Sequence, residues 1–104
     1  MFDAAYFHDR FPRDVREKSQ GPRGHEPSVR IHLHGGETHT VARTVEVGPG
    51  WVVFETYRKK KNEPPQVLDR VTFAYNAISH ISIVVKPVRG VGFRLDDVSS
   101  SPAT

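Results

Sequence analysis

The stretch AYNAISHISI, Ala74–Ile83, joins two β-prone runs across a break of only a few residues at Asn76. Upstream, VLDRVTFAY carries the β-branched and aromatic residues that favour strands, and downstream ISHISIVV does the same. No wide loop fits between them. A single turn of 3₁₀ helix does, and the Asn76-Ala77-Ile78 step has the length for one. Asn tolerates unusual backbone angles, and Ala is small enough for a crowded bend. Such a corner carries a chain from strand to strand in a strongly bent sheet.

The remaining segments support that reading. Phe2 to Phe11 reads as a short helix capped by Asp3, with Phe2, Tyr6, Phe7 and Phe11 on two adjoining stripes. Pro12 ends it or begins a second turn, with DVREK as a polar continuation, so residues 1–17 form the helical segment. KSQGPRGHEP, residues 18–27, is a linker rich in Gly, Pro and charge. From Ser28 the period becomes two, because Val29, Ile31 and Leu33 alternate with Arg30, His32 and His34. Gly35-Gly36 turns this strand into THTVARTVEV, whose Val41, Val45 and Val47 share one parity, and GPG leads into WVVFETYR. The paired prolines of KKKNEPPQ, Lys59 to Gln66, rule out a central strand there.

After Pro87, RGVGFRL adds a short strand or drapes over the barrel, and SSSPAT is expected to be disordered. The expected fold is therefore mainly β. An N-terminal helix precedes five short strands over residues 28–87, which close into a strongly bent small barrel, followed by an extension over 88–104.

With 104 residues and 37% hydrophobic content, the chain builds one lean core that oligomerisation would help to cover. It has no cysteine, which excludes disulfides, thiolate zinc sites and thiol catalysis. No apolar run has the length of a membrane span and no leader pattern is visible, so a cytoplasmic location is expected. Fifteen basic against twelve acidic residues give a net charge of +3, which permits a polyanionic partner without requiring one.

These residues together resemble the Sm-like proteins. VRIHLHGG is similar to the opening strand and turn of the bacterial, Hfq-type members, and GWVVF resembles their run of an aromatic followed by aliphatics. In AYNAISHI, Ala77, Ile78, Ser79 and Ile81 match the second Hfq signature, whereas Tyr75-Asn76 stand where that signature has a Lys-His pair. The resemblance spans Val29 to Val85. It implies a hexameric or heptameric ring, in which the fourth strand of one subunit pairs with the fifth of the next, and single-stranded RNA as the ligand.

Several side chains are candidates for that ligand. Trp51, the only tryptophan, offers a flat face to an unpaired base or else plugs the end of the barrel. On the Sm analogy, Tyr75 and Asn76 face the pore, for stacking and for base-edge hydrogen bonds; otherwise Tyr75 packs between subunits and Asn76 caps the turn. Arg30 and His32 lie on the polar face of the first strand, with His32 at a position resembling an aromatic that meets purine-rich RNA in Hfq. Arg58, Lys59, Lys60 and Lys61 form the densest cationic run, which a ring would repeat as a positive crown.

A metal site is not expected. His32 and His34 share a face, ~6–7 Å apart along the strand. A two-residue Gly35-Gly36 loop places His39 opposite His32, but it pairs Val29, Ile31 and Leu33 with Ala42, Thr40 and Thr38. A loop one residue longer pairs Ile31 with Val41 and moves His39 to the other face. Burial sets register, so the longer loop is expected. No nucleophile elbow, phosphate loop or paired carboxylates appear, and no cofactor or catalytic activity is expected. The leading expectation is a non-catalytic, RNA-binding ring. The alternative is a protein-interaction or scaffolding ring without an RNA site.

Overall fold

The computed structural model describes residues 2–21, 23–58, 66–88, 92–95 and 99–100. The chain starts helical. Asp3 Oδ1 accepts a hydrogen bond from the Tyr6 amide at 2.8 Å, as a cap does. A π-wound stretch, Tyr6–Arg10, leads into an α-helix, α1 (Phe11–Lys18), with Pro12 in its first turn. Pro12 thus continues the helix instead of ending it. It has no amide to give the His8 carbonyl, and widening the preceding turn so that Phe11 N–H reaches Tyr6 O relieves that position.

Five antiparallel strands follow: β1 (His25–Leu33), β2 (Thr38–Val47), β3 (Trp51–Arg58), β4 (Gln66–Ala74) and β5 (Ile78–Pro87). Their order in the sheet is β4-β3-β2-β1-β5. Between β4 and β5 lies one 3₁₀ turn, Tyr75–Ala77, one residue earlier than the sequence suggested. The expected closed barrel is not formed by strand pairing: among the described residues β4 and β5 remain the two edges of the sheet. Phe7, Phe11 and Val15 pack with Phe54, Phe73, Tyr75 and Phe93 in one core.

β1 begins three residues inside the expected linker and accommodates Pro27. The Pro27 carbonyl accepts from the Phe93 amide at 2.8 Å, and a strand residue's N and O point to the same side. The missing Pro27 donor therefore faces the tail, away from the ladder with β5. Val29 and Ile31 are fully buried while Arg30 is exposed, as the alternation requires.

The first hairpin has the three-residue loop, His34 to Gly36, with Gly36 at φ +94 in the left-handed region. Its register differs from the expectation by two residues, since Ile31 pairs with His39 and Val29 with Val41. Face parity is unchanged by a shift of two. His39 still lies away from His32, with its ring 5.2 Å from that of Phe73.

β2 departs from simple alternation. Register shifts between Val41 and Arg43 and between Thr44 and Glu46 each insert a residue opposite β3. Each shift flips the parity, so Val41, Ala42, Thr44 and Val47 are buried while Val45 is half-buried. The tail also contributes more than expected. Phe93 is 5% exposed, with its ring edge-on to Phe11 at 5.3 Å, and the Arg94 amide donates to Ala42 O at 2.8 Å. Ser99-Ser100, expected within a disordered end, pair in parallel with Glu46-Val47 as β6 (Ser99–Ser100).

Candidate nucleic-acid interface

The predicted contacts fall in three places. At the corner, Tyr75 is 8% exposed; its ring stacks on Phe7 with centroids 5.6 Å apart and planes 13° from parallel. Its hydroxyl donates to Gly48 O at 2.6 Å, and burial, then Asp3, raises its pKa above the usual phenol value. Tyr75 thus packs one ring face into the core on Phe7 while still bordering the surface beside Asn76. Asn76 is exposed and makes no side-chain cap on the turn. Together with Tyr75 it borders an open depression of about 320 Å³, also lined by Phe2, His34, Ile78 and Ser79.

Trp51 is half-buried and stands outside the core. Its indole lies across Gly48, where a Cβ would overlap the ring, so that glycine is needed for the close approach. The indole Nε1 is 3.4 Å from Glu46 Oε2. The GPG turn and the corner are tied together because the Tyr75 amide donates to Gly50 O at 3.2 Å.

Arg58 is exposed at the end of β3, 3.8 Å from Asp69 Oδ2. Lys59, Lys60 and Lys61 lie outside the described residues. Nearby on the outer face of β3, Glu55 accepts from Arg43 Nε and lies 3.6 Å from Arg70. The Arg43 hydrogen bond, despite partial desolvation, holds the Glu55 carboxyl below the usual range.

The third place brings the most polar chemistry together. On the outer face of β1 and β5, Arg30 stands opposite Ser82 and His32 opposite His80. Arg30, His32, Ser82, Val84 and Lys86 line a depression of about 210 Å³. Its floor includes Val84, which is 42% exposed, whereas Ile81 and Ile83 turn inward against the core. Neither Arg30 nor Lys86 forms an ion pair with a described carboxylate, in contrast to Arg43, Arg58 and Arg70. The His32 Nε2 is 2.9 Å from Ser82 Oγ, and burial, then His80 and Arg30, lowers its pKa below the usual imidazole value.

Reading β1 alone identifies Arg30 and His32 but misses His80 and Lys86. Only the β1–β5 register reveals those two, and that pairing spans about fifty residues of chain. His32 and His34 do not gather with His39, and among the described residues no three metal-ligating side chains converge. No described helix is long and apolar enough to cross a membrane. Comparisons with protein-family models, with curated proteins and with solved structures find no match to this chain.

Proposed function

We propose that this chain is a non-catalytic, single-stranded-RNA-binding subunit of Sm-like build, whose bent sheet is completed by pairing with neighbouring copies. The observation that carries the reading is the cationic depression on the outer face of β1 and β5, where Arg30 and Lys86 flank His32 and lack described carboxylate partners. Polyphosphate chains bind surfaces of this kind by releasing counterions. The depression runs along β5, an edge strand of the sheet, with β4 at the opposite edge. Those are the two strands that the Sm resemblance pairs between subunits, and strand addition would satisfy their backbone groups. Repeated around a ring, the depression becomes a continuous positive track.

One experiment separates this from the scaffolding alternative. Short A-rich and U-rich RNAs are titrated at low and moderate salt against wild type, Trp51→Ala and the double variant Arg30→Gln/Lys86→Gln. RNA should bind wild type with affinity that falls as salt rises. The double variant should bind more weakly, its log–log salt slope shallower by about 0.7 per lost phosphate contact. A loss above ~1 kcal/mol in Trp51→Ala would add a stacking contact at the GPG turn. No binding at low salt refutes the RNA reading. The scaffolding ring is the second reading, favoured by the loss of Tyr75 to the core, where Phe7 takes one of its ring faces.

A further inference from the structure

Within the β1–β5 face, His32 and His80 stack ring on ring, with centroids 4.0 Å apart and planes 10° from parallel. Such a pair accommodates no proton or one with ease. A second proton places two like charges at contact distance. The His32 Nε2 is 2.9 Å from Ser82 Oγ and its Nδ1 is 3.3 Å from Thr38 Oγ1. A hydroxyl can donate or accept, so both neutral tautomers and the imidazolium find partners there without rearrangement. His80 is exposed, with its Nδ1 3.2 Å from Ser79 Oγ.

The surrounding charges are of both signs, with the two cations lining the depression itself. Arg30 comes from β1 and Lys86 from β5, with Glu26 opposite Lys86 in the register. From β2, Thr38 presents a hydroxyl, and Glu37 sits 3.6 Å from His39. Burial, the facing ring and Arg30 disfavour a proton on His32, whereas an anion in the depression would favour one.

We propose that the outer depression of β1 and β5 is a proton-linked site for a phosphate-bearing nucleotide of single-stranded RNA. Arg30 and Lys86 take the phosphate, the exposed His80 ring offers its open side to the base, and the His32–His80 pair gains a proton as the nucleotide binds. This rests on the RNA reading above and adds its regulation. Linkage makes the effect reciprocal: if the nucleotide raises proton affinity, protons raise nucleotide affinity by the same factor. The lowered pKa of His32 in the free protein fits a ring that waits for an anion before charging.

The test is RNA affinity as a function of pH at fixed ionic strength, together with NMR titration of the His32 and His80 ring protons. The titrations are run without ligand, with a short A-rich RNA and with inorganic phosphate. Wild-type affinity should rise about tenfold between about pH 8 and about pH 5.5, and both ring midpoints should move up with RNA. His80→Gln and His32→Gln, checked for folding by thermal melts, should each reduce that rise to less than about twofold. RNA that binds wild type with no pH dependence overturns the proton link and leaves the RNA reading intact. An unchanged pH dependence in His80→Gln also overturns the link. RNA binding at no pH refutes the RNA reading and, with it, the nucleotide as ligand. In that case, ring midpoints that still rise with phosphate uphold a proton-linked anion site, and unmoved midpoints overturn that too.

Discussion

The Tyr75–Ala77 corner and the outer face of β1 and β5 both carry residue types that bind nucleic acids, yet the molecule uses them differently. At the corner, the aromatic and its hydroxyl serve the fold, because Tyr75 stacks on Phe7 and donates to Gly48 O. On the outer face, Arg30, His80 and Lys86 take no place in the core. A tyrosine beside a tight turn gains more from burying its ring with a satisfied hydroxyl than from exposure. A cation on the outward parity of a strand has nothing to bury against, and its charge remains available to a partner. The corner is packed into the core, and the face stays outside it.

The strongest way to break this contrast is Phe7→Ala. Phe7 is 2% exposed and touches both Tyr75 and Phe54. Its truncation should cost about 3–5 kcal/mol in urea unfolding. A cost under about 1 kcal/mol would mean that the helix does not hold the corner. Tyr75→Phe isolates the hydroxyl. It should cost about 1 kcal/mol of stability and leave RNA affinity unchanged. Lost RNA affinity with unchanged stability would make Tyr75 a ligand contact and invert the contrast.

Glu55 sharpens it from the outer face of β3, where charges are paired. Its carboxyl is held below the ordinary 4.5 by Arg43 first, so its stabilisation is complete above that value and fades as pH falls through the lower, folded one. Glu55→Gln should cost about 0.5–1 kcal/mol at neutral pH and progressively less as the solution is acidified past about 4.5, as measured by thermal melts. A cost that persists in acid would point to packing. The smallest effect belongs to Arg30→Gln/Lys86→Gln, which should change stability by less than about 0.5 kcal/mol while weakening RNA binding. A large loss of stability would place those cations in the scaffold.

The same contrast explains what the sequence revealed. β1 was legible because its residues obey a period of two, and the corner because two β-prone runs leave room for a single turn. β2 was not, since its two bulges reset the parity without any glycine or proline to announce them. The hairpin loop length was legible from the glycines, but both placements of a three-residue loop bury the same face, and local pattern cannot choose between them. Phe93, a lone aromatic among Gly and Arg, enters the core only because β1 and β2 separate around Pro27 and Ala42 to admit it. The partners of Arg30 and His32 depended on a non-local strand register. Barrel closure was inferred from strand number, whereas helix side chains join the core and, among the described residues, β4 and β5 remain edges.

Those two edges carry the central claim, because the RNA track exists as a continuous surface only if β4 and β5 pair between copies. Multi-angle light scattering on the purified chain, over a range of concentrations, tests it directly. The account predicts one species of six or seven times the 11.7 kDa subunit mass, stable on dilution. A monodisperse 11.7 kDa monomer at every concentration would contradict it.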